Sequence, residues 1–476
     1  MKKIITWALV AVMILSLCAC SASGGKDSKK GLQVGFSRQS ITPTQTGVQI
    51  AGGDASSRLS TGFLDEVATT CIAISKDGDT YLIYTCDFMV LYESIIDPVK
   101  TVINGATGVP KENILFNCTH THSGVNILST NWDGGAAYRE LFSSKALKAA
   151  EKAIEDLSPA KVSYGSTQTE GMTFVRHYRM NDGTTCGNGH GSSTSGYKEH
   201  MYEADGELQI IKFVREAEDK KDIIIASFPS HATTVNGTNR TALSACYPGA
   251  FRAAVEETAG VHCAFFQGAS GDQIPTSKIK ELPATPNDHK LQGQKLAEYA
   301  LGVELKELSG DQLVLKSWQY TGNSMKEGTD DPEKMAQANE IATLAGQKGT
   351  SDPAVSELCS KYGFYNVYEA TGLRSRASAP ETRTMTLVAL QVCSDISMVF
   401  APYEMFGMHG KYIKDNSPFE MDFIVTCSED YQGYFPHVEG CEEGFYEYDV
   451  TKYERGTGEK LAELFVTTLT EMKGTN

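Results

Sequence analysis

The chain has no Cys-x-x-Cys pair among its 476 residues, so the ligand spacing of a structural zinc ribbon is missing. It has too little basic charge for a nucleic-acid partner. Lys and Arg number 43 against 59 Asp and Glu, a formal net charge of −16. Beyond the N-terminus no apolar run is long enough to cross a bilayer as a helix, so the expectation is a soluble body. No internal repeat is visible. What is there, with 41% hydrophobic and 21% charged residues, is the composition of a globular protein. Its length suits one large domain or two ordinary ones.

The N-terminus points to export. Lys2 and Lys3 precede an apolar stretch over 4–17, the length of a signal h-region and too short for a permanent span. It closes on Leu17-Cys18-Ala19-Cys20, which resembles a bacterial lipobox with Cys20 as the residue to be lipidated. Residues 1–20 thus read as a lipoprotein signal peptide, 21–31 as a polar, flexible tether, and 32–476 as the functional domain. The expected localisation is extracytoplasmic, as a membrane-anchored bacterial lipoprotein. Of 12 cysteines, Cys18 and Cys20 belong to the signal. Cys71, Cys86, Cys118, Cys263 and Cys393 lie inside apolar, strand-like runs, where small buried thiols are common. Cys427 and Cys441 are the closest pair in the body, and disulfide pairing stays open.

Strand-like and helix-like runs alternate. Strands are predicted over 34–37, 68–75, 80–86, 208–213, 223–228, 262–267, 384–392 and 396–401, and an Asp-Gly turn links the second and third. Helices are predicted over 145–157, 247–258, 290–301 and 458–472. A polar section over 323–379 with helical patches reads as an inserted, lid-like helical section. The fold class is α/β, with mixed β-sheets flanked by helices and a metal site at strand ends.

That site begins at Thr119-His120-Thr121-His122-Ser123-Gly124, which follows the apolar run Ile114-Leu115-Phe116. Histidines at i and i+2 on a strand end project to one side, half of a metal site. Further apolar runs end in polar groups: 223–228 in His231, 263–267 in Gly271-Asp272, 396–401 in Glu404, and 423–426 in a segment reaching Tyr431 and Tyr434. Singly, His231 reads as a core histidine, Glu404 as a surface carboxylate and Tyr434 as an interface aromatic. Together with His120 they form a His/His/Glu/Tyr set that suits zinc.

On these motifs the chain resembles the neutral, non-lysosomal ceramidases. Their Thr-His-Thr-His-Ser-Gly segment is matched without change by 119–124, and an apolar strand ending in a zinc-binding histidine is matched by Phe228-Pro229-Ser230-His231. The Gly-Asp loop is matched by Gly271-Asp272, the Pro-x-Glu turn by Pro402-Tyr403-Glu404, and the Tyr-x-x-Tyr segment by Tyr431-Gln432-Gly433-Tyr434. The resemblance runs in one order over about 34–463. It implies Zn2+ held by His120, His231, Glu404 and Tyr434, with Arg176 and His122 donating to the developing oxyanion, or His122 passing a proton to the leaving amine. Asp272 is expected either to orient a ligand histidine or to form a turn. The implied partner is a small-molecule N-acyl or lipid substrate, cleaved at its amide bond.

Two departures are specific. The family's Gly-Asp-x-Ser-Pro loop reads Gly271-Asp272-Gln273-Ile274-Pro275, so a serine nucleophile is excluded at Ile274 and water activated by the metal is expected to attack. The family's Pro-Gly-Gly after the histidine segment is replaced by Val125-Asn126-Ile127, and ceramide specificity does not follow from the metal set. A hydrolase of another amide or ester, and a non-catalytic solute-binding lipoprotein with two lobes about a hinge, are the alternatives. Attachment is testable first. Cys20→Ser is expected to move the protein from the membrane to the soluble fraction, because stable anchoring needs the lipid chains. Persistent membrane association would reveal a second binding element.

Overall fold

In the strand Asp79–Cys86, Tyr81 and Ile83 enter one apolar cluster while Leu82, Tyr84 and Cys86 enter another. A strand buried on both faces belongs to a sheet covered on both sides. The structure, a computed structural model, describes residues 31–52, 58–129, 132, 134–187, 196–235, 237–279, 288–308, 313–438 and 445–474. The signal peptide, Cys20, nearly all of the tether and Cys441 lie outside them. Among the described residues the cysteines form no disulfide and are buried.

The large mixed sheet runs His262–Gln267, Ile223–Phe228, Glu207–Arg215, Ser158–Gln168, Gln33–Ser40, Ala68–Lys76, Asp79–Cys86, Ile114–Cys118, with Lys306–Glu307 added against Ser158–Gln168. A second sheet runs Val314–Asn323, Thr382–Cys393, Ile396–Phe400, Met421–Val425. Among the described residues ten helices accompany them: α1 Glu93–Thr107, α2 Gly135–Glu155, α3 Cys246–Ala259, α4 His289–Leu301, α5 Pro332–Lys348, α6 Pro353–Tyr362, α7 Val367–Ala377, α8 Gly407–Asn416, α9 Tyr446–Val450 and α10 Thr457–Gly474. Val34, Ile83, Ile225 and Phe266 of the large sheet pack on Leu390, Met398 and Phe423 of the second. The outer face of the large sheet is covered by α1 to α4, and that of the second by α8 and α10. The result is a four-layer α/β/β/α sandwich, the mixed-sheet α/β class expected from the sequence. Its continuous central core leaves no hinge between two equal lobes, which removes the premise of the solute-binding alternative.

Helices α1, α8 and α9 escaped the sequence pattern, and α2 was legible only in its second part. Helix α2 starts well before residue 145, burying Tyr138 and Phe142, but it has no side-chain cap to announce it. Helix α1 carries Pro98 inside, a helix breaker that hides the buried stripe Ile96, Val99 and Ile103. Residues 323–379 hold α5 to α7, set between two strands that pair antiparallel up to Asn323 and Thr382. These helices have their own small core, including Ile341, Val355, Phe364 and Leu373.

Topology then positions the site. Within the two main sheets, three pairs of strands are parallel: Asp79–Cys86 with Ile114–Cys118, Ile223–Phe228 with His262–Gln267, and Ile396–Phe400 with Met421–Val425. Parallel neighbours need crossovers, supplied here by α1, α3 and α8. All three pairs end on one side, where bridges join Asn117 to Ser428 and Thr121 to Ala232. Such carboxyl ends are the usual place for a site in α/β sheets. Helix α2 packs closely on the central strand Gln33–Ser40. A Cβ on Gly35 would stand 2.0 Å from the Ala153 carbonyl oxygen. Gly35→Ala is therefore expected to cost about 1–3 kcal/mol, read as a lowered denaturation midpoint. An unchanged midpoint would refute the close contact.

Candidate metal centre

His120 is not on a strand. The strand Ile114–Cys118 stops two residues earlier, and His120 adopts φ 57°, a left-handed conformation unusual for a side chain with a Cβ. The two histidines thus converge through this bend and not through strand alternation, which corrects the i, i+2 expectation. The bend is held from outside: the Thr119 N–H donates to the Cys86 carbonyl at 2.9 Å, and the His122 N–H to Ala232 at 3.1 Å.

Three imidazoles meet a carboxylate. His122 Nε2 lies 3.3 Å from His120 Nε2. Glu404 Oε2 lies 3.3 Å from His120 Nε2 and 3.0 Å from His231 Nε2. Ligand atoms of His120, His122 and His231 all fall within 4.8 Å of one another, a group able to hold a metal ion. The tautomers support this. His120 Nδ1 faces the Met89 carbonyl at 2.8 Å, and His231 Nδ1 faces the carbonyls of Ser270 and Gln273 at 2.7 and 3.0 Å. Carbonyls only accept, so each Nδ1 carries a proton and each ring turns its Nε2, the atom free to ligate in a neutral ring, toward Glu404. Glu404 Oε2 is buried between these two Nε2 atoms. A carboxylate oxygen so placed in a dry site demands positive charge beside it, from a proton on His120 or from a metal ion in its place. These residues fit a metal cation.

The electrostatics carry the same demand. Burial would lower His120, yet the Glu404 charge drives it well above its ordinary value. Burial would raise Glu404, yet His120 and His231 hold it well below the carboxylate range. Burial, then His120 and His231, push His122 well down. Burial and Arg176 lower His231. His122 alone of the three is half-buried.

Glu404 and Tyr434 are neighbours in a short parallel ladder, which brings Tyr434 to the site. The Tyr434 ring lies 5.5 Å beneath the Arg176 guanidinium. Arg176 is buried, donates through Nη2 to the Gly271 carbonyl at 2.7 Å, and brings Nη1 to 3.5 Å from His231 Nε2. Asp272 lies close by but touches no histidine of the cluster. Its Oδ1 accepts from the Gly407 N–H at 2.8 Å, and the orienting contact expected of it is made by the backbone carbonyls of Ser270 and Gln273. Asp272 instead pins the start of α8.

Three contributors were missed. The Tyr431 hydroxyl donates to Glu404 Oε1 at 2.6 Å; it stood in the Tyr-x-x-Tyr segment without a role. Glu447 Oε1 lies 2.5 Å from Arg176 Nε, and its Oε2 lies 2.9 Å from His177 Nε2. Arg58 donates to the carbonyls of Ala51, Gly52 and His122 at 3.0, 2.9 and 3.2 Å. Neither Glu447 nor Arg58 follows an apolar strand, so no sequence signal marked them.

The arrangement defines a class: an α/β/β/α sandwich with a histidine–carboxylate metal centre at the carboxyl ends of its parallel strands. No protein-family model and no curated protein sequence matches the chain. Among solved structures, the neutral ceramidase from Pseudomonas aeruginosa matches with a TM-score of 0.68 at 16% identity, over 94% of this chain and 75% of that one. A ceramidase complexed with C2 matches with the same TM-score and identity, over 94% and 76%. The chain has the fold of the neutral ceramidases.

The buried pair of Glu447 with Arg176 is testable by its pH dependence. Burial would raise its pKa, but Arg176 and His177 push it from the ordinary 4.5 down to about 2. A depressed carboxylate stabilises the fold fully above its unfolded value and loses that contribution as pH falls through the folded one. The stability gap between wild type and Glu447→Gln is expected to be largest above pH 4.5 and to close as pH falls towards about 2. A gap independent of pH would disprove the buried ion pair.

Proposed function

We propose that the protein is a zinc-dependent hydrolase that cleaves the amide bond of an N-acyl, ceramide-like substrate. One observation carries the proposal: the Nε2 atoms of His120 and His231 converge on the buried Oε2 of Glu404, with Arg176 at the same point. His120, His231 and Glu404 would hold the ion, with Tyr434 beside Glu404 as the fourth ligand. Zinc there would supply Lewis-acid polarisation and a water of lowered pKa.

The chain's own groups do the rest. Tyr431 fixes the Glu404 carboxylate through Oε1 and leaves Oε2 for the metal. Arg176, clamped at Nε and Nη2, keeps Nη1 toward the site and donates to the substrate carbonyl oxygen as negative charge develops. His122, the half-buried imidazole, is placed to carry a proton to the leaving amine. Among the described residues of the loop at 270–275, no serine is poised to attack. Ile274 pairs with Phe174, and the Ser270 hydroxyl accepts from Gln267 Nε2 at 2.6 Å inside the buried loop. Asp272 serves as a support of that loop. The proposal extends to the cell: lipidation at Cys20 would tether the enzyme outside the cytoplasm, where an amphiphilic N-acyl substrate meets it at the membrane.

Metal analysis beside a panel of ceramides, other N-acyl amides and esters tests the reading. His231→Ala is expected to lose most bound zinc with the fold intact. Ser270→Ala should keep activity within about tenfold. His122→Ala and Arg176→Ala should lower kcat about a hundredfold or more. Full zinc occupancy in His231→Ala, or a trapped acyl-Ser270, would overturn the site or the mechanism. Faster turnover of an ester or a non-lipid amide would replace the substrate and keep the chemistry.

A further inference from the structure

The residue that holds Arg176 stands on an element that cannot hold itself. The α9 helix has five residues, its N-cap Phe445 makes no side-chain cap bond, and isolated helices of this length are unstable in water. Yet it carries Glu447, the carboxylate on Arg176, and Tyr446, whose ring packs 5.5 Å from that of Tyr434. Its order must come from a neighbour.

That neighbour is α7, from the inserted helical section. A Cβ on Gly372 would stand 1.9 Å from the Asp449 carbonyl oxygen, so only glycine lets the two helices approach. Arg376 Nη2 donates to the Tyr448 carbonyl at 2.6 Å and to Asp449 at 3.4 Å, capping carbonyls at the helix end. Its guanidinium also lies 4.8 Å over the Tyr448 ring. Tyr368 packs edge-on against Tyr446 at 5.0 Å. Gly372, Leu373 and Arg376 are all buried, and α7 is stiffened by the section's own core.

We infer that α7 is a clamp rather than a lid: it holds α9 in place and through Glu447 fixes the Arg176 guanidinium at the metal centre, with Gly372 and Arg376 as positioning residues. The chain of contact is short and physical. From α7 it passes to the α9 carbonyls, from Glu447 to Arg176 Nε, and from Arg176 Nη1 to the reaction point. A swinging lid would have to break buried contacts on each opening, and a displacement of about 1 Å at Arg176 is enough to cost a hundredfold in rate. The rate effect rests on the hydrolase reading; the clamp itself does not.

The experiment compares full-length wild type with Gly372→Ala and Arg376→Gln by amide hydrogen exchange, metal content and turnover of an N-acyl substrate. Exchange over 446–450 is expected to rise about tenfold or more in both variants, with the strand Met421–Val425 and bound zinc unchanged. Turnover should fall about tenfold or more in kcat with KM little moved. Adding either change to Arg176→Ala should cost almost nothing further, since both act on one group. Arg376→Lys, which keeps the charge and a donor, should recover part of the loss. Unchanged exchange over 446–450, or additive losses with Arg176→Ala, would overturn the clamp. If Gly372→Ala does not fold, Arg376→Gln decides alone. If wild type turns over no amide, the hydrolase reading fails while the exchange measurement still judges the clamp.

Discussion

Everything near the candidate site is organised around one electrostatic constraint: a buried carboxylate oxygen set between two imidazoles whose Nδ1 atoms are already committed. In a dry interior such an arrangement needs positive charge at one point, and it persists only when the surrounding structure over-determines it. The carbonyls of Met89, Ser270 and Gln273 fix the tautomers. Tyr431 occupies the other oxygen of Glu404. His120 keeps a left-handed backbone because its neighbours on two other strands hold it there. Each of these is a constraint on shape placed so that a charge is wanted at one point.

Around that point lies a second, cationic-to-anionic relay. Arg176 is a permanent cation within reach of His231, and on its own it would repel a metal ion. Glu447 offsets that charge from behind, and His177 shares the same carboxylate. Arg176 is raised above its ordinary value mainly by Glu447, against the opposing effect of burial. On the proposed function, this balance would let the centre hold two positive groups close together, Arg176 and a metal ion.

The sequence made the sandwich legible through its apolar runs. Strands buried on both faces, such as 223–228 and 262–267, cannot be mistaken for surface loops, and polar groups at their ends stand out. His120, His122, His231, Glu404 and Tyr434 could be read this way because each follows a strand that ends on the same side. What stayed hidden obeys another logic. Glu447 sits on a one-turn helix without a local signature, and Arg58 acts through backbone carbonyls, so both depend on tertiary contact alone. Of the two roles open to Asp272, it takes the turn, because here backbone carbonyls orient the imidazole, and backbone acceptors leave no trace in residue identity. The left-handed His120 was invisible for the same reason.

The three parallel crossovers have a consequence for how the centre comes into being. Its groups are drawn from positions 120 to 447, and no two of the strands that present them are joined by a tight hairpin. Such long-range closure is slow and comes late, because the chain entropy of each large loop is surrendered before any contact repays it. The full His120, His231 and Glu404 constellation therefore cannot exist in a partly synthesised or partly folded chain, which holds at most the local His120 and His122 pair.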